Sequence, residues 1–213
     1  MGRIVVLISG RGSNLEAIIG CAQRERWSHQ IVAVVADRRL APGLAFAERW
    51  QIPTIVVEHT DYPDREAFEQ VLLQQLLALN PDVIALAGFL RVLGAALIER
   101  FAHRWINIHP SLLPAFPGLQ THRRALQAGV RVHGATVHLV TAALDAGPIL
   151  AQAVVPVLPE DTETSLGQRV LLAEHQIFPR AIAWLADGRV RLRDGVLQWQ
   201  GVDASERLLG VVA

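Results

Sequence analysis

An α/β fold, a mostly parallel sheet with helices on both faces, is predicted by three observations. Apolar runs of strand length alternate strictly with segments of helical period through the first hundred or so residues. Those runs lack the polar-apolar alternation of a half-exposed strand, as expected for strands covered on both sides. Beyond Gly118 the pattern changes to longer strands and one long helix. The architecture is therefore Rossmann-like, and such sheets take their ligands at the carboxyl ends of the strands.

The elements follow in order. Residues 4–8 form the first apolar run, and residues 31–36, 54–57, 83–87 and 105–108 repeat it. Helices are predicted between them over residues 14–24, 43–51, 64–79 and 94–101. In the second half, residues 133–140 and 149–157 read as long strands and residues 165–185 as the long helix. RVRLRDGVLQWQ reads as a polar hairpin turning at Asp194-Gly195. With no repeat and no low-complexity linker, one domain over residues 1–213 is expected. Its parts are a first half (1–100), a second half (101–187), and a hairpin and tail (188–213).

Composition removes whole classes of function. Hydrophobic residues make up 51% of the chain and charged residues 19%, which excludes disorder. Acidic and basic residues balance at 20 each, so no broad electrostatic footprint for nucleic acid exists. The apolar run before Gly10 is too short for a secretion signal, and no later run approaches membrane-spanning length. With the lone Cys21, this makes a cytoplasmic protein the expectation. All 20 basic residues are arginine. Schiff-base chemistry and the phosphate-gripping lysine of a P-loop are therefore closed, and an anion must be held by arginine, hydroxyls or backbone N–H groups.

SGRGSN, at residues 9–14, ends the first strand. Its glycines permit a tight turn, Ser13 can begin the next helix, and exposed N–H groups with the helix dipole suit an anion. A dinucleotide fingerprint, with Asp37 on a ribose, fails because Leu15 stands where the third glycine belongs. A Gly-Ser turn that only caps a helix stays open at this point.

NIHPSLLPAFPG, at residues 107–118, places Asn107 and His109 on one side of a strand end, since side chains alternate with period two. The pair can hold a developing oxyanion. Pro110, Pro114 and Pro117 then restrict the loop that follows. In LDAGPIL, residues 144–150, Asp145 either serves the turn's own backbone or pairs with an imidazole in acid–base chemistry. Spacing alone does not place it beside His109. No metal is expected: His133 and His138, five apart on one strand, face opposite sides, and no acidic or histidine cluster joins His109 in the sequence.

Together GRGSN, DVIALAGFLRVL, NIHPSLLPAFPG and HGATVHLVTAALDAGPIL resemble, in order and spacing, the phosphoribosylglycinamide formyltransferases of the folate-dependent formyltransferase family. The resemblance runs from about residue 3 to 187. It implies formyl transfer from 10-formyltetrahydrofolate to the amine of glycinamide ribonucleotide, a step of purine biosynthesis, without a metal. It also implies that Gly12, Ser13 and Asn14 hold the nucleotide phosphate and Glu174 meets the ribose. Leu90, Arg91, Val92 and Leu93 would present backbone groups to the pterin, with Arg65 and Asn107 on the folate side too. Asn107, His109 and Asp145 match the catalytic trio.

The chain departs from bacterial relatives at Gln120, where they often carry His, while His122 remains. Methionyl-tRNA formyltransferase would add an RNA-binding domain and a basic surface, and formyltetrahydrofolate hydrolase an amino-terminal regulatory domain. Neither is expected here. The partners expected are small molecules, with no nucleic acid and no membrane, for a monomer or homodimer.

Overall fold

The computed structural model describes residues 2–210. Its strands and helices, in chain order, are β1 (Arg3–Ile8), α1 (Ser13–Arg24), β2 (Gln30–Ala36), α2 (Leu44–Arg49), β3 (Thr54–Val56), α3 (Arg65–Leu79), β4 (Val83–Leu86), α4 (Ala95–Arg100) and β5 (Trp105–His109). Then come α5 (Thr121–Gln127), β6 (Val132–Leu139), β7 (Ile149–Pro156), α6 (Glu163–Ala186), β8 (Val190–Arg193), β9 (Val196–Trp199), α7 (Ala204–Arg207) and β10 (Leu208–Leu209). Eight strands form one sheet in the order β10-β7-β6-β5-β4-β1-β2-β3, and β8 and β9 form a separate hairpin. From β3 to β5 the pairing is parallel. β6 runs antiparallel to β5, and β7 antiparallel to β6.

Continuous apolar runs arise because both faces of each strand are covered. Ile4, Val6 and Ile8 of β1 pack with Leu15 and Ile18 of α1 and Phe178 and Ile182 of α6. Val5 and Leu7 pack on the other face with Phe68, Leu72 and Leu76 of α3 and Leu97 of α4. A single strand thus feeds two cores, which period-two reading of an all-apolar segment leaves undivided.

Local chemistry sets the helix ends. The Asp64 carboxylate accepts the Ala67 N–H at 2.8 Å to open α3, and Asn80 closes it at φ 43°. Thr162 and Ser165 exchange backbone and side-chain bonds at the start of α6. The hairpin turns at Asp194 and Gly195, both at positive φ, the backbone a type I′ turn requires.

The predicted strands and helices of the first half are all present, with ends shifted by one or two residues. Besides a 3-10 turn at His59–Asp61, three short elements escaped the sequence reading: α5, α7 and β10. α5 buries only Thr121 and Ala125, α7 buries nothing, and β10 is two residues long, so none carries an apolar period. Val211, Val212 and Ala213 of the expected tail lie outside the described residues.

Candidate active site

The loops after β1, β2, β3, β4 and β5 all leave the same edge of the sheet, because those strands are parallel. Every sequence-predicted site residue before Asp145 lies on or beside this edge.

After β1 the chain turns through Gly10 and Gly12, and α1 starts at Ser13 with no side-chain cap at its first turn. Gly12 has φ 79°, and a Cβ there would meet the Gly43 Cα at 2.6 Å. Gly43 in turn donates its N–H to the Gly10 carbonyl at 3.0 Å. Glycine is needed on both sides of this contact, which brings the loop down onto the chain entering α2. The first-turn N–H groups of α1 thus have no side-chain cap.

Asn14 brings in the other end of the chain. Its Nδ2 donates to Glu174 Oε2 at 2.7 Å, joining α1 to α6 across 160 residues, while its own Oδ1 is buried without a partner. Burial pushes the Glu174 carboxyl up to about 7, against the lowering effect of Asn14. The folded protein therefore binds a proton here more tightly than the unfolded chain does. The corresponding stability is complete below the ordinary carboxyl range and lost as pH rises towards 7. Glu174→Gln, which still accepts from Asn14, should gain on the parent as pH rises from 5 to 8. The gain should approach about 3 kcal/mol. Denaturant unfolding at several pH values checks this, and a constant difference would place the charge elsewhere.

After β4, Ser9 Oγ accepts the Leu90 N–H at 2.8 Å, so that N–H is not available to a ligand. Leu90 and Val92 are exposed, while Leu93 is buried in the core. Arg91 Nε donates to the fully buried Asp37 at 2.8 Å. Asp37 thus anchors an arginine, not the ribose that a dinucleotide fold would give it. Arg91, Arg65, Asp64, His59, Tyr62 and Leu90 face a cleft of about 380 Å³, in which each arginine already meets a carboxylate: Arg91 the buried Asp37, and Arg65, at 3.6 Å, Glu69.

After β5 lies the catalytic candidate. Asn107 sits opposite His138 in the antiparallel pairing, and His109 opposite Thr136. The proline-rich loop is pinned from below: Thr136 Oγ1 donates to the Ser111 carbonyl at 2.7 Å and accepts the Leu113 N–H at 3.0 Å. Gln152 Nε2 holds the Leu113 carbonyl at 2.9 Å. Leu113 is buried and Leu112 and Phe116 are half-buried beneath the loop, while Pro114, Ala115 and Pro117 are exposed, and the Leu113 backbone is satisfied by Thr136 and Gln152.

β6 leaves β5 at the level of Trp105, whose carbonyl accepts the Val140 N–H at 3.1 Å. The chain then folds back over the sheet face, with Asp145 at φ 50°. A side chain at Gly147 would collide with the Leu139 carbonyl, so glycine is required for this return. Asp145 Oδ2 accepts the Gly118 N–H at 2.8 Å and lies 3.4 Å from His109 Nδ1. Its carboxylate thus serves the opposite loop and the histidine, not its own turn.

His109 is 6% exposed, and its Nε2 donates to the Phe116 carbonyl at 3.0 Å. A reacting group must take that carbonyl's place to use Nε2. The sequence reading joined no further histidine to His109. The structure adds His138, whose Nε2 lies 3.9 Å from Asp145 Oδ1 and 3.2 Å from Asn107 Nδ2. The signal was the cross-strand pairing of NIHP with TVHL, which needs a register that sequence does not supply. His133 does face the other side, packed edge-on against His122 and Phe116. Burial holds the His122 and His133 rings below the usual imidazole range. Gln120, at φ 56°, precedes α5 and is exposed.

A formyl transferase family model matches residues 2–182. The chain is 43% identical to phosphoribosylglycinamide formyltransferase of Escherichia coli strain K12, over 93% of this chain and 93% of that protein. It is 43% identical to part of the Homo sapiens trifunctional purine biosynthetic protein adenosine-3, over 92% of this chain and 20% of the larger protein. Glycinamide ribonucleotide transformylase 1 from Symbiobacterium toebii has a TM-score of 0.89 to this structure at 44% identity, over 93% of this chain and 94% of the other.

Proposed function

The chain belongs to the formyl transferase family, and from that premise we infer that it transfers the formyl group of 10-formyltetrahydrofolate to the amine of 5'-phosphoribosylglycinamide, in purine biosynthesis. What supports the chemical assignment is the convergence of Asn107, His109 and Asp145 on one sheet face. Amine attack on the formyl carbon creates a tetrahedral oxyanion. A free Asn107 N–H and His109 Nε2 stabilise it once substrate displaces the Phe116 carbonyl. The leaving nitrogen needs a proton, which His109 delivers directly or through one water, and the attacking amine's surplus proton passes to His109 in turn, restoring it. Asp145 and the Gly118 N–H it holds keep the imidazole aligned. The nucleophile is the substrate's own amine, so the absence of lysine costs nothing. No metal enters this reading.

The first turn of α1, at Gly12, Ser13 and Asn14, takes the phosphate, with Glu174 beside it for the ribose. Arg65, Asn107 and the segment Leu90, Arg91, Val92 and Leu93 meet the folate. One domain over residues 1–213 carries all of this, and the Asn14–Glu174 bond ties its two halves together. Acting on small molecules, it works in the cytoplasm as a monomer or homodimer, without nucleic acid or membrane. No helix among the described residues is long and apolar enough to cross a membrane.

The test follows tetrahydrofolate release from 10-formyltetrahydrofolate. Release is expected only when glycinamide ribonucleotide is added, with KM much higher for the dephosphorylated substrate. Release without the amine would instead make the protein a hydrolase.

A further inference from the structure

We propose that His138 is a positioning residue for Asn107, fixing which end of its amide faces the reacting carbonyl. The inference deepens the formyl-transfer reading and rests on it for its kinetic consequence, though not for its structural one. His138 is 2% exposed and stands directly across from Asn107 in the β5–β6 register. Its Nδ1 lies 2.9 Å from the Leu139 carbonyl oxygen. A carbonyl only accepts, so Nδ1 carries the hydrogen. Burial lowers the affinity of the ring for a second proton. The Leu139 carbonyl and the Asp145 carboxylate oppose that effect, and His109 adds to it.

Nε2 of the neutral ring is then a lone pair, 3.2 Å from Asn107 Nδ2. A lone pair needs a donor, so the amide must turn its NH2 group, not its oxygen, towards His138. One amide hydrogen is spent on the histidine, and the other is held out for the oxyanion. Rotated by half a turn, the same amide would place an oxygen where negative charge develops and repel it. An unsupported amide has little to choose between these orientations, whereas the lone pair chooses one. The carbonyl of Leu139 therefore acts on Asn107 through two hydrogen bonds, and His138 is the link between them.

The test has two arms. In the unmodified protein, two-bond ¹⁵N–¹H spectra of His138 should show a protonated Nδ1 and a bare Nε2. A proton on Nε2 would overturn the inference, whatever reaction the protein catalyses. In the kinetic arm, His138→Leu fills the space without an acceptor. It should lower kcat about tenfold, the scale of one orienting hydrogen bond, with KM for both substrates little changed. His138→Gln, whose amide oxygen reaches the position of Nε2, should restore most of that loss. In an Asn107→Ala background, His138→Leu should cost almost nothing more. Equal losses for the Leu and Gln variants, or a full loss persisting without Asn107, would reduce His138 to packing. A parent enzyme with no transferase activity would sink the formyl-transfer reading while leaving the spectroscopic arm intact.

Discussion

His109→Ala is expected to lower the single-turnover rate by about a thousandfold, within the range of a positioned proton-transfer group. Nucleotide binding should survive, because the proposed phosphate and ribose contacts are built on α1 and α6, not on β5 itself. Asp145→Asn tests whether the carboxylate acts through that histidine. Asparagine still offers an oxygen to the Gly118 N–H and to His109 Nδ1, so the substitution removes the charge and little of the geometry. Alone it should lower kcat by about a hundredfold. Added to His109→Ala it should cost no more than roughly threefold, since residues acting as a unit are not additive. Single-turnover rates for the two single variants and the double decide this. If the two losses multiply, Asp145 acts independently of His109, through the loop it holds at Gly118.

Asn107→Ala should lower kcat by about a hundredfold or more, the loss expected for one oxyanion donor. KM for the nucleotide should change little, and KM for the folate, which Asn107 also meets, should rise far less than kcat falls, because the oxyanion exists only during reaction. The variant also removes the partner of His138 Nε2, leaving a buried lone pair, so some stability will be lost. Rate and unfolding midpoint must therefore be measured together. Near-normal turnover in a folded variant would leave Asn107 a structural residue at the end of β5.

Much of this architecture was legible because each signal was local. β1, β2, β4 and β5 announced themselves as apolar runs, since a strand buried on both faces has no polar positions to spare. The turn after β1 was readable from two glycines and a serine between a strand and a helix, a conformation that few other residues reach. Period two placed Asn107 and His109 on one side without any knowledge of neighbours. α5 and β10 were not legible. The first is seven residues long and the second two, and each is held by tertiary contacts, not by its own pattern.

The sequence by itself thus determined the α/β class, the sheet edge at which the candidate residues stand, and which side chains are the candidates. These depend on periodicity, on turn residues and on motifs carried within short stretches. Only the tertiary structure decided which of those side chains meet. It brought Asp145 back over the sheet to His109, set His138 across from Asn107, and joined Asn14 to Glu174. It also gave Asp37, whose ribose reading Leu15 had already closed, its place as the anchor of Arg91. The reason is physical: a chain records its neighbours along the backbone, but strand register and loop return are fixed by packing between segments far apart in sequence. A shift of one residue between β5 and β6 would turn His138 to the opposite face and leave Asn107 without its partner.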